Sequence, residues 1–152
     1  VHPFGNAICV IEATGQQILD ALELGVMAMP EESGSFEQVA GITYEIHPDL
    51  PSSVVLDENG MFVSVDGEYR VQNVKVNGEE LDLKKTYTLA GNNYSLMNGG
   101  GGLSMFKGNR VVQDSIMVDA EVLIRYIQDD LGGVIGKEYA QPYGQERIIA
   151  VE

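Results

Sequence analysis

A chain of 152 residues, of which 44% are hydrophobic, is long enough for one domain with an apolar core of its own. Its net charge of −14 excludes the basic surface that nucleic-acid polymers require, and it also disfavours contact with anionic membranes. No apolar run reaches the roughly 18 residues that a membrane-spanning helix needs, so no membrane insertion is expected. Because the chain begins without an initiator methionine, we expect a processed product or an excised domain.

The first predicted elements are a buried strand and a helix. Residues 7–13 are almost wholly apolar, which predicts a buried strand, and the lone cysteine, Cys9, is expected to be a small core side chain. Thr14 and Gln17 have the spacing of a capping box, which predicts the start of a helix. Apolar residues then recur at helical spacing until Pro30, which predicts its end. These residues are Ile18, Leu22, Val26 and Met29.

The middle of the chain is predicted to form strands joined by turns. Residues 39–46 and 69–76 are predicted strands, and Asn-Gly at 77–78 is a strong hairpin-turn signal after the second. Residues 48–60 are rich in Pro, Ser and Asp, which predicts an exposed excursion. Another strand is predicted at 86–90.

The C-terminal part predicts a second helix at 118–131 and a last strand at 146–151. Gly-Gly at 132–133 is expected to end this helix. The apolar residues on one of its faces are Val122, Leu123, Tyr126, Ile127 and Leu131. Two helices among five or six strands predict an α+β fold with a mixed β-sheet, formed by residues 1–152 as a single domain.

The most informative segment is residues 92–102, in which a polar pair and Tyr94 lead into four consecutive glycines. Glycine adopts backbone angles that other residues avoid and lets a ligand approach the main chain closely. A flat aromatic ring beside such a loop can hold a flat ligand, such as a nucleobase, by stacking. The alternative from local sequence alone is a tight surface loop with a core tyrosine beside it.

The sequence shows no catalytic machinery of its own. His2 and His47 each stand alone, and no cluster of His, Cys or Asp has the spacing of a transition-metal site. Cys9 has no partner histidine in a pattern typical of a cysteine nucleophile. The glycine run lacks the lysine and hydroxyl residue of a phosphate-binding Walker A loop.

Seven segments in order resemble the C-terminal domain of the 5′-nucleotidase family, which includes UDP-sugar hydrolases and 2′,3′-cyclic-nucleotide phosphodiesterases. Each motif alone is weak, but seven in the right order are specific, and together they cover essentially the whole chain. They are Pro-Phe-Gly-Asn at 3–6, Thr-Gly at 14–15 with its helix, residues 33–41, residues 74–82, Lys-Thr-Tyr at 85–87, Asn-Tyr at 93–94 with the glycines at 99–102, and residues 119–123 with Tyr-Ile at 126–127.

The resemblance implies a division of labour between two domains. An N-terminal metallophosphoesterase domain of the same polypeptide, absent from this sequence, would hold two divalent metal ions and hydrolyse the phosphoester. The present domain would hold the nucleoside part of a nucleotide substrate, with Phe4 and Tyr94 clamping the base. Asn6 would hydrogen-bond the base edge, and Gly34 would lie against the nucleoside. The glycine loop would contribute Gly99, Gly100 and Gly101. No cofactor is expected in this part of the protein.

The sequence departs from the family pattern in two places. The family has an Asp at the position of Gly101, where its carboxylate accepts hydrogen bonds from the ribose hydroxyls, so weaker or different ribose binding is expected here. Asn93 or Asn98 could substitute for it. The Asn-Gly-rich, Arg-containing segment that precedes Pro-Phe-Gly-Asn in the family is also missing. By resemblance, the intact protein is expected to be extracellular, in the cell wall or periplasmic.

A second hypothesis is a non-catalytic interaction or spacer module of a cell-surface protein with a decayed nucleoside site. Gly101 favours this hypothesis because glycine offers no side-chain acceptor. Retention of Phe4, Asn6 and Tyr94 disfavours it, since a spacer needs no pair of rings with an amide beside them. If Phe4 were instead a core anchor at the start of the chain, its ring would be buried.

Overall fold

The computed structural model describes residues 2–141 and 145–151, and within these ranges nine strands form three sheets. The strands are β1 (Ile8–Thr14), β2 (Ile42–Ile46), β3 (Val54–Leu56), β4 (Phe62–Val65), β5 (Val71–Val76), β6 (Glu79–Glu80), β7 (Thr86–Asn92), β8 (Val111–Gln113) and β9 (Ile148–Ala150). The α-helices are α1 (Gly15–Val26), α2 (Asn93–Leu96) and α3 (Asp119–Arg125). No helix in the described ranges has both the length and the apolar character needed to cross a membrane.

β1 is the central strand of the first sheet, whose order is β7-β1-β8 with antiparallel pairing on both sides. Alternate residues of β1 point into the core, and Cys9, Ile11 and Ala13 are almost completely buried. The predicted buried strand and the buried cysteine are thus confirmed. The first residues of β1 pair with the last residues of β7, since Ile8 lies opposite Asn92.

α1 begins at the predicted capping box. The Thr14 hydroxyl accepts from the Gln17 N–H at 3.2 Å, and the Gln17 side chain accepts from the Thr14 N–H at 2.9 Å. The helix ends at Val26 rather than running on to Pro30, because Arg70 binds the carbonyl groups at this end of the helix. The Arg70 guanidinium donates to the carbonyl oxygens of Val26, Met27 and Met29 at 3.0–3.3 Å. This contact closes the C-terminal end of the helix.

A buried carboxylate ties α1 to the second sheet, whose order is β6-β5-β2-β9. Glu23 is completely buried, and its two oxygens accept from the backbone N–H groups of Arg70 and Val71 at 3.0 and 2.8 Å. These charge-assisted hydrogen bonds hold the start of β5 against the middle of α1. β9 pairs with β2 in parallel and the other pairs are antiparallel, so the sheet is mixed, as predicted.

Several predicted boundaries differ from the structure. The strand predicted at 39–46 begins at Ile42, because Gly41 has φ +72° and its carbonyl oxygen accepts from the Asn77 N–H. The last strand begins at Ile148 rather than 146, where Glu146 has φ +49°. The predicted excursion is not all irregular, since its second half contains β3 and leads into the β3–β4 hairpin.

The second predicted helix is present in a different form. α3 covers Asp119–Arg125, and residues 126–130 continue it as a π-helix. Contrary to what an amphipathic pattern suggests, no residue of either part is buried. No other described element packs closely over the apolar face of this helix.

Candidate functional site

Two hydrogen bonds join the segment before β1 to the start of α2. The Ala7 N–H donates to the Asn93 Oδ1 at 3.2 Å, and the Asn93 N–H donates to the Ala7 carbonyl oxygen at 2.8 Å. The backbones of Asn6 and Tyr94, which adjoin this link, therefore lie close together although almost 90 positions separate them in the sequence. The Asn93 Oδ1 accepts one hydrogen bond in this link, and its possible role in place of the missing carboxylate at position 101 stays a prediction.

The two rings proposed as a clamp are exposed. Phe4 is 84% exposed and Tyr94 is 54% exposed, whereas large apolar side chains of the core are almost fully buried. Neither ring is a core anchor. Asn6, between Phe4 and β1, is half-buried, and its carbonyl oxygen accepts from the Asp119 N–H at 2.9 Å. This contact fixes the backbone of the Pro-Phe-Gly-Asn segment against the start of α3.

The ring of Tyr94 lies directly on the backbone of Gly100. A Cβ atom placed on Gly100 would lie 2.2–2.4 Å from three carbons of this ring, a distance that no side chain can occupy. Gly100 is itself buried, so one face of the tyrosine ring is covered while much of the side chain remains exposed. α2 is fixed at its start by the Asn92 side chain, which accepts from the Ser95 N–H at 2.9 Å. The capped start of α2 fixes the backbone of Tyr94, and Gly100 fixes the position of its ring.

Three other positions of the glycine loop favour glycine because of their backbone angles. Gly99, Gly101 and Gly102 have φ of +72°, +69° and +89°, which is the left-handed region that other residues rarely adopt. Gly102 also approaches the tip of the β3–β4 hairpin, where a Cβ would lie 2.8 Å from the Gly60 carbonyl oxygen. The tip of the hairpin therefore packs against the glycine loop at Gly102.

Gly101 faces open space toward the loop at 33–37. Among the described residues other than its chain neighbours, the one atom within 4 Å of a Cβ placed on Gly101 is the Ser35 Oγ, at 3.8 Å. Gly34, which precedes Ser35 in the sequence, is exposed, and no described atom outside its chain neighbours lies within 4 Å of its Cβ position. Gly25 of α1 allows this loop to approach, since a Cβ there would lie 3.1 Å from the Ser35 carbonyl oxygen. Of the predicted site residues, Tyr94 and Gly100 are thus in direct contact, and Ser35, the neighbour of Gly34, lies next to Gly101.

A cavity of about 230 Å³ lies between α1, the segment 37–40 and the end of β7. Glu37 lines it together with Gly91, Asn92 and Ser95. Burial raises the pKa of Glu37 above its ordinary value, and burial also raises the pKa of Tyr44, with a further contribution from the charge of Glu37. This carboxyl group is the one titratable side chain in the described lining of the cavity.

Sequence reasoning missed three neighbours of the site. Ser35 faces Gly101, and the side chains of Met61 and Lys107 lie within 3.2 Å of the Cβ position of Gly99. Ser35 follows Gly34 directly, so a polar loop next to a predicted site residue was an available signal. No local pattern marks Met61 or Lys107, because both reach the site through the fold.

The described residues contain no group of three or more His, Cys, Asp or Glu side chains that could hold a metal ion. Among the side chains nearest to the Cβ positions of Gly99 and Gly101 are those of Ser35 and Lys107, which supply a hydroxyl and an ammonium group. Neither group is a usual ligand of the two divalent metal ions that a phosphoesterase centre requires.

Comparison with known proteins gives a consistent result. The sequence model of one family, "5'-nucleotidase, C-terminal domain", matches residues 1–108. Protein UshA of Escherichia coli is 30% identical over 128 residues, covering 84% of this chain and 19% of that protein. The trifunctional nucleotide phosphoesterase protein YfkN of Bacillus subtilis is 32% identical over 143 residues, covering 84% of this chain and 10% of that protein.

A solved structure extends the likeness to the fold. The 5′-nucleotidase precursor from Thermus thermophilus superimposes with a TM-score of 0.75 and 30% identity, covering 99% of this chain and 26% of that protein. This match confirms the α+β fold with mixed sheets. The chain spans between about a tenth and a quarter of the length of these relatives. It belongs to the family of 5′-nucleotidase C-terminal domains.

Proposed function

We propose that this chain is the nucleoside-binding domain of a larger, exported bacterial phosphoester hydrolase of the 5′-nucleotidase type. The observation that carries the proposal is the ring of Tyr94. One face of this ring lies on Gly100 and the residue is still 54% exposed, and Phe4, whose segment is linked to the start of α2 through Ala7 and Asn93, is even more exposed. Burying such rings against each other would stabilise a protein, so their exposure supports a role in holding a ligand.

The clamp suits a nucleobase. Stacking of one base on an aromatic ring contributes about 1–3 kcal/mol in nucleic-acid sites and tolerates different bases. The Asn6 amide offers a donor and an acceptor, which matches the edge of a purine or a pyrimidine. Gly34, Gly99, Gly100 and Gly101 provide backbone without side chains, so a bound nucleoside could lie close to the main chain.

The hydrolytic step belongs to another part of the polypeptide in this proposal. An N-terminal metallophosphoesterase domain with two divalent metal ions would activate water for attack on the phosphoester. The present domain would orient the substrate toward that centre, which is a proximity contribution to catalysis. Within the described ranges, its own residues include no group of three or more His, Cys, Asp or Glu side chains that could hold a metal ion. We therefore expect the isolated chain to hydrolyse no phosphoester.

The partners and the compartment follow from the same proposal. The ligand is a nucleotide or nucleoside, and the macromolecular partner is the N-terminal domain of the same polypeptide. A nucleic-acid polymer is not expected, since the net charge is −14. The location proposed from the family resemblance is extracellular, in the cell wall or periplasmic, and an acidic surface that tolerates salt fits this location.

A titration read by amide chemical shifts tests the proposal. Adenosine, 2′-deoxyadenosine and UDP-glucose are added to the chain up to millimolar concentration. We expect shifts clustered at Phe4, Asn6, Tyr94 and residues 98–102. Shifts confined to other surfaces, or none in either this chain or the longer polypeptide, would refute nucleoside binding.

A double substitution separates the clamp from a structural role. In Phe4→Ala, Tyr94→Ala we expect the shifts at residues 98–102 to disappear while the unfolding free energy changes little, because both rings are largely exposed. In the full-length enzyme the same change should raise KM for the nucleotide substrate. Lost stability with unchanged binding would show that the rings pack a core instead.

A further inference from the structure

The chain contains three Asn-Gly pairs, at 59–60, 77–78 and 98–99, and all three asparagines are exposed. In such a pair the backbone nitrogen of the glycine can attack the side-chain amide of the asparagine, because glycine has no Cβ that obstructs the approach. The reaction depends on the folded structure, since the glycine N–H and the asparagine side chain must both be free to meet. The structure gives the three pairs different freedom.

The pair at 59–60 is held at the tip of the β3–β4 hairpin. The Gly60 N–H donates to the Asp57 carbonyl oxygen at 3.0 Å. The Asp57 Oδ1 accepts from the Asn59 N–H at 2.9 Å and from the Met61 N–H at 2.8 Å. The nitrogen that would attack is therefore already engaged as a donor, and the turn must open before this pair can react.

The pair at 77–78 forms the turn of the β5–β6 hairpin, in which Val76 pairs with Glu79. The Asn77 N–H donates to the Gly41 carbonyl oxygen at 2.8 Å. The Asn77 Oδ1 also lies 3.1 Å from the Cβ position of Gly41, so the side chain packs against a neighbouring loop. Because the main chain is fixed on both sides of this pair, its reaction must also wait for local opening.

The pair at 98–99 follows the single turn of α2 and belongs to no hairpin. The Asn98 N–H donates to the Asn93 carbonyl oxygen at 3.1 Å. Neither the Asn98 side chain nor the Gly99 N–H makes a hydrogen bond with a described residue. The atoms nearest to the Cβ position of Gly99 belong to the flexible side chains of Lys107 and Met61. This pair can therefore react without the opening of a hairpin.

We propose that Asn98 is a site of spontaneous deamidation, and that the fold makes it react before Asn59 and Asn77. The Gly99 nitrogen forms a bond to the Asn98 Cγ, the Cγ–Nδ2 bond breaks, and ammonia leaves with the proton of the Gly99 N–H. One solvent water then opens the succinimide ring. Opening at Cγ leaves aspartate, and opening at the main-chain carbonyl carbon leaves isoaspartate, whose peptide bond runs through its side chain. The net reaction consumes one water, releases one ammonia and transfers no electron.

The modification would disturb the loop on which the Tyr94 ring lies. Isoaspartate lengthens the main chain by one methylene directly before Gly99, where the Lys107 Cδ and the Met61 Cε already lie 2.8 and 3.2 Å from the Cβ position. The loop must therefore shift, and the next residue is Gly100, which contacts the ring. Weaker adenosine binding is the expected consequence. This consequence rests on the proposed function, whereas the modification itself does not.

Peptide mapping by mass spectrometry tests the proposal. The folded 152-residue chain is incubated at mildly alkaline pH, and the converted fraction at each of the three asparagines is followed over time. We expect conversion at Asn98 to be about tenfold faster than at Asn59 or Asn77, because only the latter two require local opening. In concentrated urea the three rates should become similar. A rate at Asn98 no higher than at Asn59 or Asn77 in the folded chain overturns the proposal, and so does the same tenfold ratio in urea.

Matched substitutions control the assignment of the mass gain. Asn98→Gln should remove the fast mass gain, because the longer side chain must close a larger and less favourable ring. Asn59→Gln should leave it, since Asn59 is the slow, hydrogen-bonded pair at the hairpin tip. A fast mass gain that persists in Asn98→Gln overturns the proposal.

An adenosine titration of the converted and unconverted forms, separated by ion exchange, measures the consequence. We expect a Kd at least roughly fivefold higher for the converted form, the lower limit for loss of one stacking face. An equal Kd for the two forms would refute the effect on the loop. Absence of binding by both forms would instead refute the proposed function, and the mass assignment would stand.

Discussion

Gly100 is the position at which one methyl group should separate ligand binding from folding. In Gly100→Ala the new Cβ would meet ring carbons of Tyr94 at 2.2–2.4 Å, so one of the two must move. The tyrosine side chain is 54% exposed and free to swing outward, whereas Gly100 is buried in the loop. Because Gly100 does not have a positive φ, alanine is compatible with its backbone. We expect the ring to leave its place and the loop to keep its structure.

Gly100→Ala should change the binding free energy more than it changes the unfolding free energy. Loss of one stacking face removes about 1–3 kcal/mol of binding free energy, which raises the Kd for adenosine roughly 5- to 150-fold. The unfolding free energy should change by no more than about 1 kcal/mol, since alanine lowers the entropy of the unfolded chain and the displaced ring loses little burial. The assays are an adenosine titration followed by amide shifts and urea unfolding followed by circular dichroism.

A double-mutant cycle with Tyr94→Ala provides the control. Once the ring is gone, the three atoms nearest to the methyl group at position 100 are absent, so Gly100→Ala should have a much smaller effect on binding in that background. Binding equal to that of the unsubstituted chain in Gly100→Ala alone would refute the role of the ring. Equal additional losses in both backgrounds would show that the loop, and not the ring, had been damaged.

Three further predictions concern buried and open positions. Glu23→Ala should lower the unfolding free energy by about 3–5 kcal/mol in urea, because two buried N–H groups lose their acceptor, and Glu23→Gln should lose less. Burial raises the pKa of Glu37 in the folded state, so its ionised form destabilises the fold. Glu37→Gln should therefore be more stable than the unsubstituted chain at pH 7, and this gain should disappear below the ordinary pKa of 4.5; equal stability at pH 7 would contradict the burial. Gly101→Asp places a carboxylate in open space near Ser35 and should increase the preference for adenosine over 2′-deoxyadenosine about tenfold in comparative titrations, whereas an unchanged ratio would show that position 101 does not face the sugar.

The sequence predicted those features that depend on neighbouring residues. The capping box at Thr14 and Gln17 gave the start of α1 to the residue, because both hydrogen bonds form within one turn. The Asn-Gly turn at 77–78 was also correct, and both residues have the positive φ that a tight hairpin requires. These interactions are complete before any distant part of the chain is in place.

Features that depend on contacts between residues far apart in the chain could not be predicted from the sequence. The end of α1 is determined by Arg70, which lies more than 40 positions away, and no local pattern announces that contact. The contact of Tyr94 with Gly100 could not be read from two nearby residues in a glycine-rich loop. That Phe4 and Tyr94 belong to one site came only from the resemblance, and their roles stay predictions until binding is measured.

The place of β1 at the centre of its sheet has a consequence for how the protein is made. β1 ends at Thr14, but its partners β7 and β8 begin only at Thr86 and Val111. At a synthesis rate of about 5–20 residues per second, this apolar strand waits roughly 4–16 s before its first partner strand is synthesised. During that interval both of its edges can pair with another nascent chain. The proposed nucleoside-binding face needs β1 and β7 together, so it cannot form before the chain has been synthesised beyond Asn92.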